Sequence, residues 1–129
     1  MNIVDSCGWL EYIANGSNAV FFQDALADEA HLLLPPLVVF EVIRRLKVQK
    51  QDFAIGPTMT VMRRLQRADL STDQLADAAL AADSYKLALA DAIIWQTAQS
   101  HSATLYTQDA DLQGLPGVAY QAKPVRYSP

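Results

Sequence analysis

Short apolar runs alternate with longer segments of helical periodicity, and this alternation restricts the fold more than any other feature of the chain. Runs of strand length lie at Asn2–Asp5, Leu32–Leu34, Thr104–Thr107 and Val118–Tyr120. Several of the segments between them carry apolar residues three and four positions apart, as amphipathic helices do. Strands that alternate with helices in this way indicate an α/β sandwich around a mainly parallel sheet.

Cap and turn residues predict where the helices begin and end. Ser6 is expected to cap a helix that stops at Asn15-Gly16, and Asn18 to cap a second from Ala19 to about Glu29. Further helices are predicted from Leu37 to about Lys50, from Met59 to Leu65 after a break at Gly56-Pro57, from Ser71 or Thr72 to Ala82, and from Leu87 to Ser100, with a minimal strand at Asp69-Leu70.

Length and composition fit a single globular domain over residues 1–129. The apolar fraction of 51% is enough for a core. No apolar run approaches the roughly 20 residues of a membrane span, and the N-terminus lacks the regions of a signal peptide. We therefore expect a cytoplasmic protein. A single cysteine, Cys7, excludes an internal disulfide and a cysteine zinc cage.

Charge is distributed unevenly along the chain. The net charge of −4 disfavours a simple nucleic-acid-binding surface. However, a basic segment between Val42 and Ala68 contains one acid, Asp52, and seven bases: Arg44, Arg45, Lys47, Lys50, Arg63, Arg64 and Arg67. A basic segment in an acidic chain favours a polyanionic substrate, although solvated helix faces explain the same charges equally well.

Four acidic residues are predicted to meet at one edge of the sheet. Asp5 ends the first strand, Asp109 follows the strand Thr104–Thr107, and Glu41 and Asp91 lie early in two helices. In parallel sheets, ligands bind at the edge formed by the carboxyl ends of the strands. Glu41 and Asp91 also lie beside apolar helix positions, where a carboxylate is costly unless it is paired or binds a metal.

Ligands that are all oxygen atoms favour a hard cation, Mg²⁺ or Mn²⁺. His31 and His101 lack the spacing of a metal-binding pair. Any one of the acids has a simpler explanation, either the favourable field of a helix N-terminus or an ion pair with an arginine. Four converging acids without neighbouring bases favour the metal. With a bound cation, such a cluster can bind a phosphodiester and activate water.

Four motifs follow one another in a fixed order. They are Val4-Asp5-Ser6-Cys7-Gly8-Trp9, Val38-Val39-Phe40-Glu41, Leu89-Ala90-Asp91-Ala92-Ile93-Ile94 and Thr107-Gln108-Asp109-Ala110-Asp111-Leu112. In order and spacing they resemble the PIN-domain ribonucleases, especially the VapC-type toxins of bacterial toxin–antitoxin pairs. The resemblance runs from about Asn2 to Pro124. It implies a three-layer α/β/α sandwich with about four or five short strands.

The resemblance also implies a role for each acid. Asp5 and Asp91 match the residues that hold the main Mg²⁺ or Mn²⁺ ion. Glu41 matches the family's second acid, and Asp109 the fourth acid, which acts directly or through water. The expected reaction is hydrolysis of RNA, with Glu41 or Asp109 positioning the attacking water.

Further positions of the motifs match accessory roles. Ser6 and Thr107 match small hydroxyl residues that orient the carboxylates or the water. Asp111 matches an accessory acid, although a cap for the following turn explains it equally well. The basic residues placed to hold flanking phosphates are Arg44, Arg45 and Lys47.

Members of this family are usually dimeric and are blocked by a cognate antitoxin. The resemblance thus implies an RNA substrate, an antitoxin partner and a homodimer. Aromatic residues that either partner can contact are Trp9, Tyr12, Phe21, Phe22 and those of the segment 53–62, although most are expected in the core.

Other functions also fit parts of the sequence. A phosphoacceptor receiver domain shares the sheet, a late threonine and Lys123-Pro124, but it requires paired acids after the first strand, where Ser6 and Cys7 follow Asp5. A catalytically silent binding module of the same fold is a second alternative. DNA cleavage is a third, because no residue identifies a sensor for the 2′-hydroxyl.

Overall fold

The computed structural model describes residues 1–125. In chain order its elements are β1 (Asn2–Val4), α1 (Ser6–Ile13), α2 (Ala19–Ala27), β2 (Leu32–Leu34), α3 (Pro36–Val48), α4 (Ile55–Met62), β3 (Gln66–Arg67), α5 (Thr72–Tyr85), α6 (Leu89–Ser100), β4 (Thr104–Thr107) and β5 (Val118–Tyr120). Short 3-10 turns at Glu29–His31, Asp52–Ala54 and Ala110–Leu112 lie in the connections. None of the helices in this range is long and apolar enough to cross a membrane.

All strand pairs of the sheet are parallel, in the order β3-β2-β1-β4-β5. β1 is central, with Ile3 paired to Leu33 on one side and to Leu105 on the other. The chain runs from β1 to β3 in one direction and then crosses back to β4. Since such crossovers are right-handed, α1–α4 cover one face and α5 and α6 the other. The predicted α/β/α sandwich is confirmed, and the order differs from the 2-1-3-4-5 order of receiver domains.

The strands β1 and β2 in the interior of the sheet are buried on both faces, so they are almost continuously apolar, whereas the edge strand β3 is exposed. Ile3, Leu32 and Leu105 are fully buried, as is the inner stripe of α3 at Val38, Val42 and Leu46. Trp9 and Phe22 belong to this core, as expected. Tight packing also explains Gly8, because a Cβ atom there would lie 2.6 Å from Phe22 and from Val4. The glycine therefore lets α1 approach β1 closely just after Asp5.

The predicted cap of α1 is wrong, and the predicted cap of α2 is confirmed in its position but not in its side-chain bond. Asp5, not Ser6, is the N-cap of α1, since its carboxylate accepts a hydrogen bond from the Ser6 N–H. Asn18 precedes α2, but its side chain makes no capping bond and instead contacts Gln108 and the Ala122 carbonyl. The predicted Ser71 cap of α5 is confirmed, with a complete capping box.

Several predicted boundaries shift. α2 ends at Ala27 before a 3-10 turn, α3 begins at Pro36 and ends at Val48, and α6 begins at Leu89. The predicted break at Gly56-Pro57 is absent, because both residues lie in the first turn of α4, where proline is compatible with a helix. α4 ends at Met62 and not at the predicted Leu65.

The predicted strand at Asp69-Leu70 is wrong, because β3 lies at Gln66–Arg67. Both residues of β3 are exposed at the sheet edge. The segment therefore lacks the apolar pattern by which a strand is recognised.

Candidate metal centre

The site lies where the topology of the sheet changes direction. β1 leads into the helices of one face, whereas β4 is reached from the helices of the other, so a crevice opens between the carboxyl ends of these neighbouring strands. Asp5 follows β1 directly, and Asp109 lies two residues beyond β4. The fold therefore brings together two carboxylates that are more than a hundred residues apart in sequence.

Asp5 is buried, with 3% of its surface exposed, and is held by three donors. Its Oδ1 accepts from the Ser6 N–H at 2.8 Å, and its Oδ2 accepts from the Thr107 hydroxyl at 2.8 Å. The Cys7 thiol donates to Oδ2 at 3.5 Å. The Thr107 oxygen in turn accepts from the Asp109 N–H at 3.0 Å, so one hydroxyl links both acids.

Asp91 completes a cluster of three carboxylates. It lies in the first turn of α6, and Asp5, Asp91 and Asp109 each offer an oxygen within 4.8 Å of the others. Within residues 1–125, none of the three makes an ion pair with a basic side chain. A cluster of oxygen donors without a base fits a hard divalent cation such as Mg²⁺ or Mn²⁺.

The surroundings make ionisation of these acids costly. Burial raises the pKa of Asp91 to about 7, and the negative charges of Asp109 and Asp5 add to the shift. The pKa of Asp5 is also raised, mainly by burial, although the hydrogen bonds from Thr107, Ser6 and Cys7 oppose the shift. A bound cation would offset this cost directly, because it stabilises the carboxylate form.

Glu41 lies beside the cluster and is connected to it through Ser6. The Ser6 hydroxyl donates to Glu41 Oε1 at 3.1 Å and is 3.5 Å from Asp5 Oδ1. Burial raises the pKa of Glu41, and the charge of Asp5 contributes. Glu41 is also a predicted metal ligand, but it is not among the three residues whose oxygens converge, and the Ser6 hydroxyl connects it to Asp5.

Two of the three predicted phosphate-binding residues line a cleft at this site. A cleft of about 300 Å³ is bordered by Ser6, Cys7, Leu10, Phe40, Glu41, Arg44 and Arg45. Lys47 is not part of this lining, and its ammonium group pairs with Asp52 at 2.6 Å. The same cleft is therefore bordered by Glu41 and by two basic residues.

Asp111 lies close to the three acids. Its N–H donates to Asp109 Oδ1 at 3.0 Å, and its negative charge contributes to the raised pKa of Asp91. Asp109 is thus the N-cap of the 3-10 turn 110–112, and Asp111 lies inside that turn. The predicted capping role of Asp111 belongs to Asp109, because it is the Asp109 carboxylate that accepts the backbone hydrogen bond.

Two contacts were not anticipated from the sequence. Cys7 lies 3.5 Å from both Asp5 Oδ2 and the Thr107 hydroxyl, and burial together with the charge of Asp5 raises its pKa to about 12. It is therefore a neutral thiol and not a nucleophile. Gln108, between Thr107 and Asp109, is buried and bonds to Glu11 and Asn18. The sequence signal for both residues is adjacency to a predicted ligand.

The simpler explanations do not account for the cluster. The ion pairs found in the described part of the chain involve other acids, so arginine partners do not explain the four candidates. His31 bonds to Asp28, and His101 to the Thr97 carbonyl. A favourable helix N-terminus explains Asp5 as the N-cap of α1 and Asp91 in the first turn of α6, but it does not explain why both carboxylates converge with Asp109.

Comparison with known proteins identifies the fold and the family. The chain resembles a toxin–antitoxin complex from Klebsiella pneumoniae at 25% identity and a TM-score of 0.74, with 92% of this chain and 96% of that chain covered. It shares its fold with VapBC2 from Rickettsia felis bound to promoter DNA (13% identity, TM-score 0.66, 94% and 97% covered). DNA-bound VapBC from Salmonella typhimurium gives similar values (12%, 0.65, 95% and 98%).

No curated protein matches the sequence significantly. The family model described as PIN domain matches residues 3–118, which include all four predicted acids and at least part of every strand. The match confirms the resemblance found in the order of the motifs: the chain belongs to the PIN-domain family.

Proposed function

We propose that this protein is a metal-dependent endoribonuclease that acts as the toxin of a toxin–antitoxin pair. The observation that carries the proposal is the convergence of Asp5, Asp91 and Asp109 without a basic partner in the described chain. Membership of the PIN-domain family and likeness to a toxin–antitoxin complex support the toxin role. The preference for RNA over DNA rests on the family resemblance.

Asp5, Asp91 and Asp109 are the residues that would hold Mg²⁺ or Mn²⁺. When bound, such a cation lowers the pKa of a coordinated water and neutralises charge on a phosphodiester. Thr107 and the Ser6 N–H keep the Asp5 carboxylate in a fixed orientation. Fixed ligands need little rearrangement during the reaction, which lowers its barrier.

The cleft residues supply the other roles in this proposal. Glu41, held by the Ser6 hydroxyl, would position the attacking water and accept its proton. Arg44 and Arg45 line the same cleft and would bind phosphates that flank the scissile bond. The positive arginines also reduce the repulsion between an RNA chain and the acids.

The direct test is RNA cleavage by the wild type and by Asp5→Asn with Mn²⁺. The wild type should cut RNA and should lose activity in EDTA, whereas Asp5→Asn should be inactive with an unchanged helical circular dichroism spectrum. DNA of the same sequence, tested in parallel, decides between RNA and DNA as the substrate. Full activity of Asp5→Asn would contradict the metal site. Mn²⁺ binding by calorimetry without cleavage of either nucleic acid would favour a silent binding module.

An apolar groove offers a site for the antitoxin. It has a volume of about 470 Å³ and is lined by residues of α1, α2 and the segment 53–61, including Trp9, Tyr12 and the 80% exposed Phe53. We propose that an apolar segment of the antitoxin binds here. Phe53→Glu should abolish co-purification with a co-expressed antitoxin and leave RNA cleavage intact. Undiminished co-purification would exclude the groove.

A second apolar cleft suits the proposed homodimer. It has a volume of about 400 Å³ and lies among the start of α3, α5 and α6, next to Phe40, which is 63% exposed. The exposed Leu89 lines an adjoining apolar cleft that shares Leu75 and Ile93 with this one. We propose that a second copy of the chain covers it. Phe40→Glu should convert a dimer to a monomer in sedimentation velocity, and an unchanged mass would exclude this surface.

A further inference from the structure

A buried polar network lies behind the loop that carries Asp109. Gln108 is 6% exposed and stands between Thr107 and Asp109. Its side-chain oxygen accepts from Asn18 Nδ2 at 3.0 Å, and its Nε2 donates to Glu11 Oε2 at 3.1 Å. A buried amide paired at both ends fixes its segment more firmly than an exposed one, since breaking either bond leaves a buried polar atom without a partner.

The same network reaches two further parts of the chain. Glu11 Oε1 accepts from the Asn18 N–H at 3.2 Å, and Asn18 Nδ2 also donates to the Ala122 carbonyl at 3.0 Å. The contacts therefore join α1, the turn before α2, the Asp109 loop and the segment after β5. At the start of α1, the Ser6 N–H donates to Asp5 itself. One helix thus contacts the acid cluster at its start and the Asp109 loop through Glu11.

Gly16 provides independent support for a specific position of Glu11. A Cβ atom at Gly16 would lie only 1.8 Å from Glu11 Oε1, so the carboxylate occupies the space that any other residue's side chain would enter. Gly16 does not have a positive φ angle, so backbone conformation does not require glycine there. The glycine is explained by the space that the Glu11 carboxylate needs.

We propose that Glu11, Asn18 and Gln108 are positioning residues that hold Asp109 against Asp5 and Asp91. The inference rests on the proposed metal-dependent function. Three carboxylates that converge repel one another, so the loop that carries Asp109 must be held in place by contacts elsewhere. Thr107 anchors the loop on one side of Asp109 through its hydroxyl, and Gln108 anchors it through the network.

The network has a fixed donor and acceptor polarity, which makes the proposal testable. A carboxylate at position 11 only accepts, so the Gln108 amide must direct its NH₂ group toward it and its oxygen toward Asn18. Glu11→Gln introduces an NH₂ group that faces another donor, either the Gln108 NH₂ or the Asn18 N–H. Reversing the Gln108 amide does not help, because its NH₂ group would then face a second donor, Asn18 Nδ2. The reciprocal variant E11Q/Q108E restores every bond, since the new amide at position 11 then donates to a carboxylate at position 108 that also accepts from Asn18.

The experiment is Mn²⁺ titration by calorimetry, with thermal unfolding of each metal-free variant as a second readout. We expect Glu11→Gln to weaken Mn²⁺ affinity by about tenfold, the lower end of the loss seen when a group supporting a ligand is removed. E11Q/Q108E should recover affinity to within about twofold. Gly16→Ala should weaken affinity like Glu11→Gln, because it displaces the same carboxylate without changing charge.

Ser71→Ala is the matched control for a purely structural effect. It removes the capping box of α5 and should lower Tm by about 3–5 °C with unchanged Mn²⁺ affinity. Wild-type affinity in both Glu11→Gln and Gly16→Ala would overturn the positioning role alone. A loss that the folded E11Q/Q108E protein does not recover would also overturn it. Absence of Mn²⁺ binding by the wild type would overturn the proposed metal site and this inference with it.

Discussion

Two groups of carboxylates in this molecule have opposite surroundings. On the outer surface, Glu29 pairs with Arg64 at 2.9 Å and Asp69 pairs with Arg67 at 2.9 Å. At the edge of the sheet, Asp5 and its neighbours accept hydrogen bonds from hydroxyls and backbone N–H groups. Within the described residues, they form no ion pair with a basic side chain. The hydrogen bond from Arg64 lowers the pKa of Glu29, whereas burial raises that of Asp91 to about 7.

The contrast separates acids that contribute little to the stability of the fold from acids whose position lowers it. An exposed ion pair is worth at most about 1 kcal/mol, so the surface acids are replaceable. Acids that repel one another in a partly buried crevice are unfavourable unless a function requires them. The acidic edge, formed by Asp5, Asp91, Asp109 and the groups that hold them, should therefore respond to substitution differently from matched residues elsewhere.

Asp91→Asn should have the largest effect, a reduced rate of RNA cleavage. Loss of one ligand of a metal that stabilises transition-state charge by several kcal/mol should reduce RNA cleavage by about 10³-fold or more. Asp69→Asn, an equal change of charge in an exposed ion pair, should leave the rate within about twofold of the wild type. Single-turnover cleavage under Mn²⁺ saturation measures both. Equal rates for the two variants would remove the distinction between the groups of acids.

Thr107→Val should have the next largest effect. It keeps the side-chain shape but removes the hydroxyl that donates to Asp5 and accepts from the Asp109 N–H. We expect cleavage to fall by about 10–100-fold, as for other residues that orient metal ligands. Thr97→Val is the control, because Thr97 is equally buried but bonds only to a carbonyl of its own helix. Similar losses in both variants would indicate a general packing defect.

The arginines of the cleft should affect binding more than chemistry. With catalytically inactive Asp5→Asn as background, Arg44→Gln/Arg45→Gln should weaken RNA binding about tenfold at low salt and reduce the salt dependence, since each phosphate contact adds a slope of about 0.7 on single strands. Arg63→Gln/Arg67→Gln removes the same charge outside the cleft lining. Fluorescence anisotropy across a salt series measures both. If both double variants weaken RNA binding equally, the basic residues contribute only through the overall positive charge and not through contacts in the cleft.

The sequence predicted the acids better than it predicted the contacts that hold them. Asp5, Asp91 and Asp109 could be placed at one edge because strand ends and helix starts define that edge in any parallel sheet. Which hydroxyl bonds to which carboxylate depends on side-chain orientations, and no periodicity encodes those. Ser6 was therefore predicted as a cap, although its own N–H is capped by Asp5.

Contacts between residues far apart in the sequence were the second feature that could not be predicted. Asn18 precedes a helix and has the residue type of a cap, but its amide lies in a buried network with Gln108, 90 residues away. The preference of asparagine for a capping bond is overridden here by a tertiary hydrogen bond that satisfies two buried amides at once. Likewise β3 carries two exposed residues, so only its pairing with β2 identifies it as a strand.

The smallest expected effect is on stability, and it depends on pH. Burial raises the pKa of Asp91 to about 7 from an ordinary 3.8, so the native state binds more protons than the unfolded state between these values. The free energy of unfolding contributed by Asp91 should therefore fall as pH rises from about 4 to 7 and stay low above 7. Asp5 and Glu41, whose pKa values are also raised, act in the same direction.

Asp91→Asn carries no charge to repel and should be more stable than the wild type at pH 8 in EDTA. Solvent screens a half-buried carboxyl, so we expect a gain of about 3–5 °C in Tm, the shift that ~1 kcal/mol produces in a domain of this size. Mn²⁺ should raise the wild-type Tm more at pH 8 than at pH 6, because the ligands must be deprotonated to bind it. Glu29→Gln should show neither change. A metal-free Asp91→Asn protein less stable than the wild type at pH 8 would mean that the acidic edge stabilises the fold by itself, without a cation.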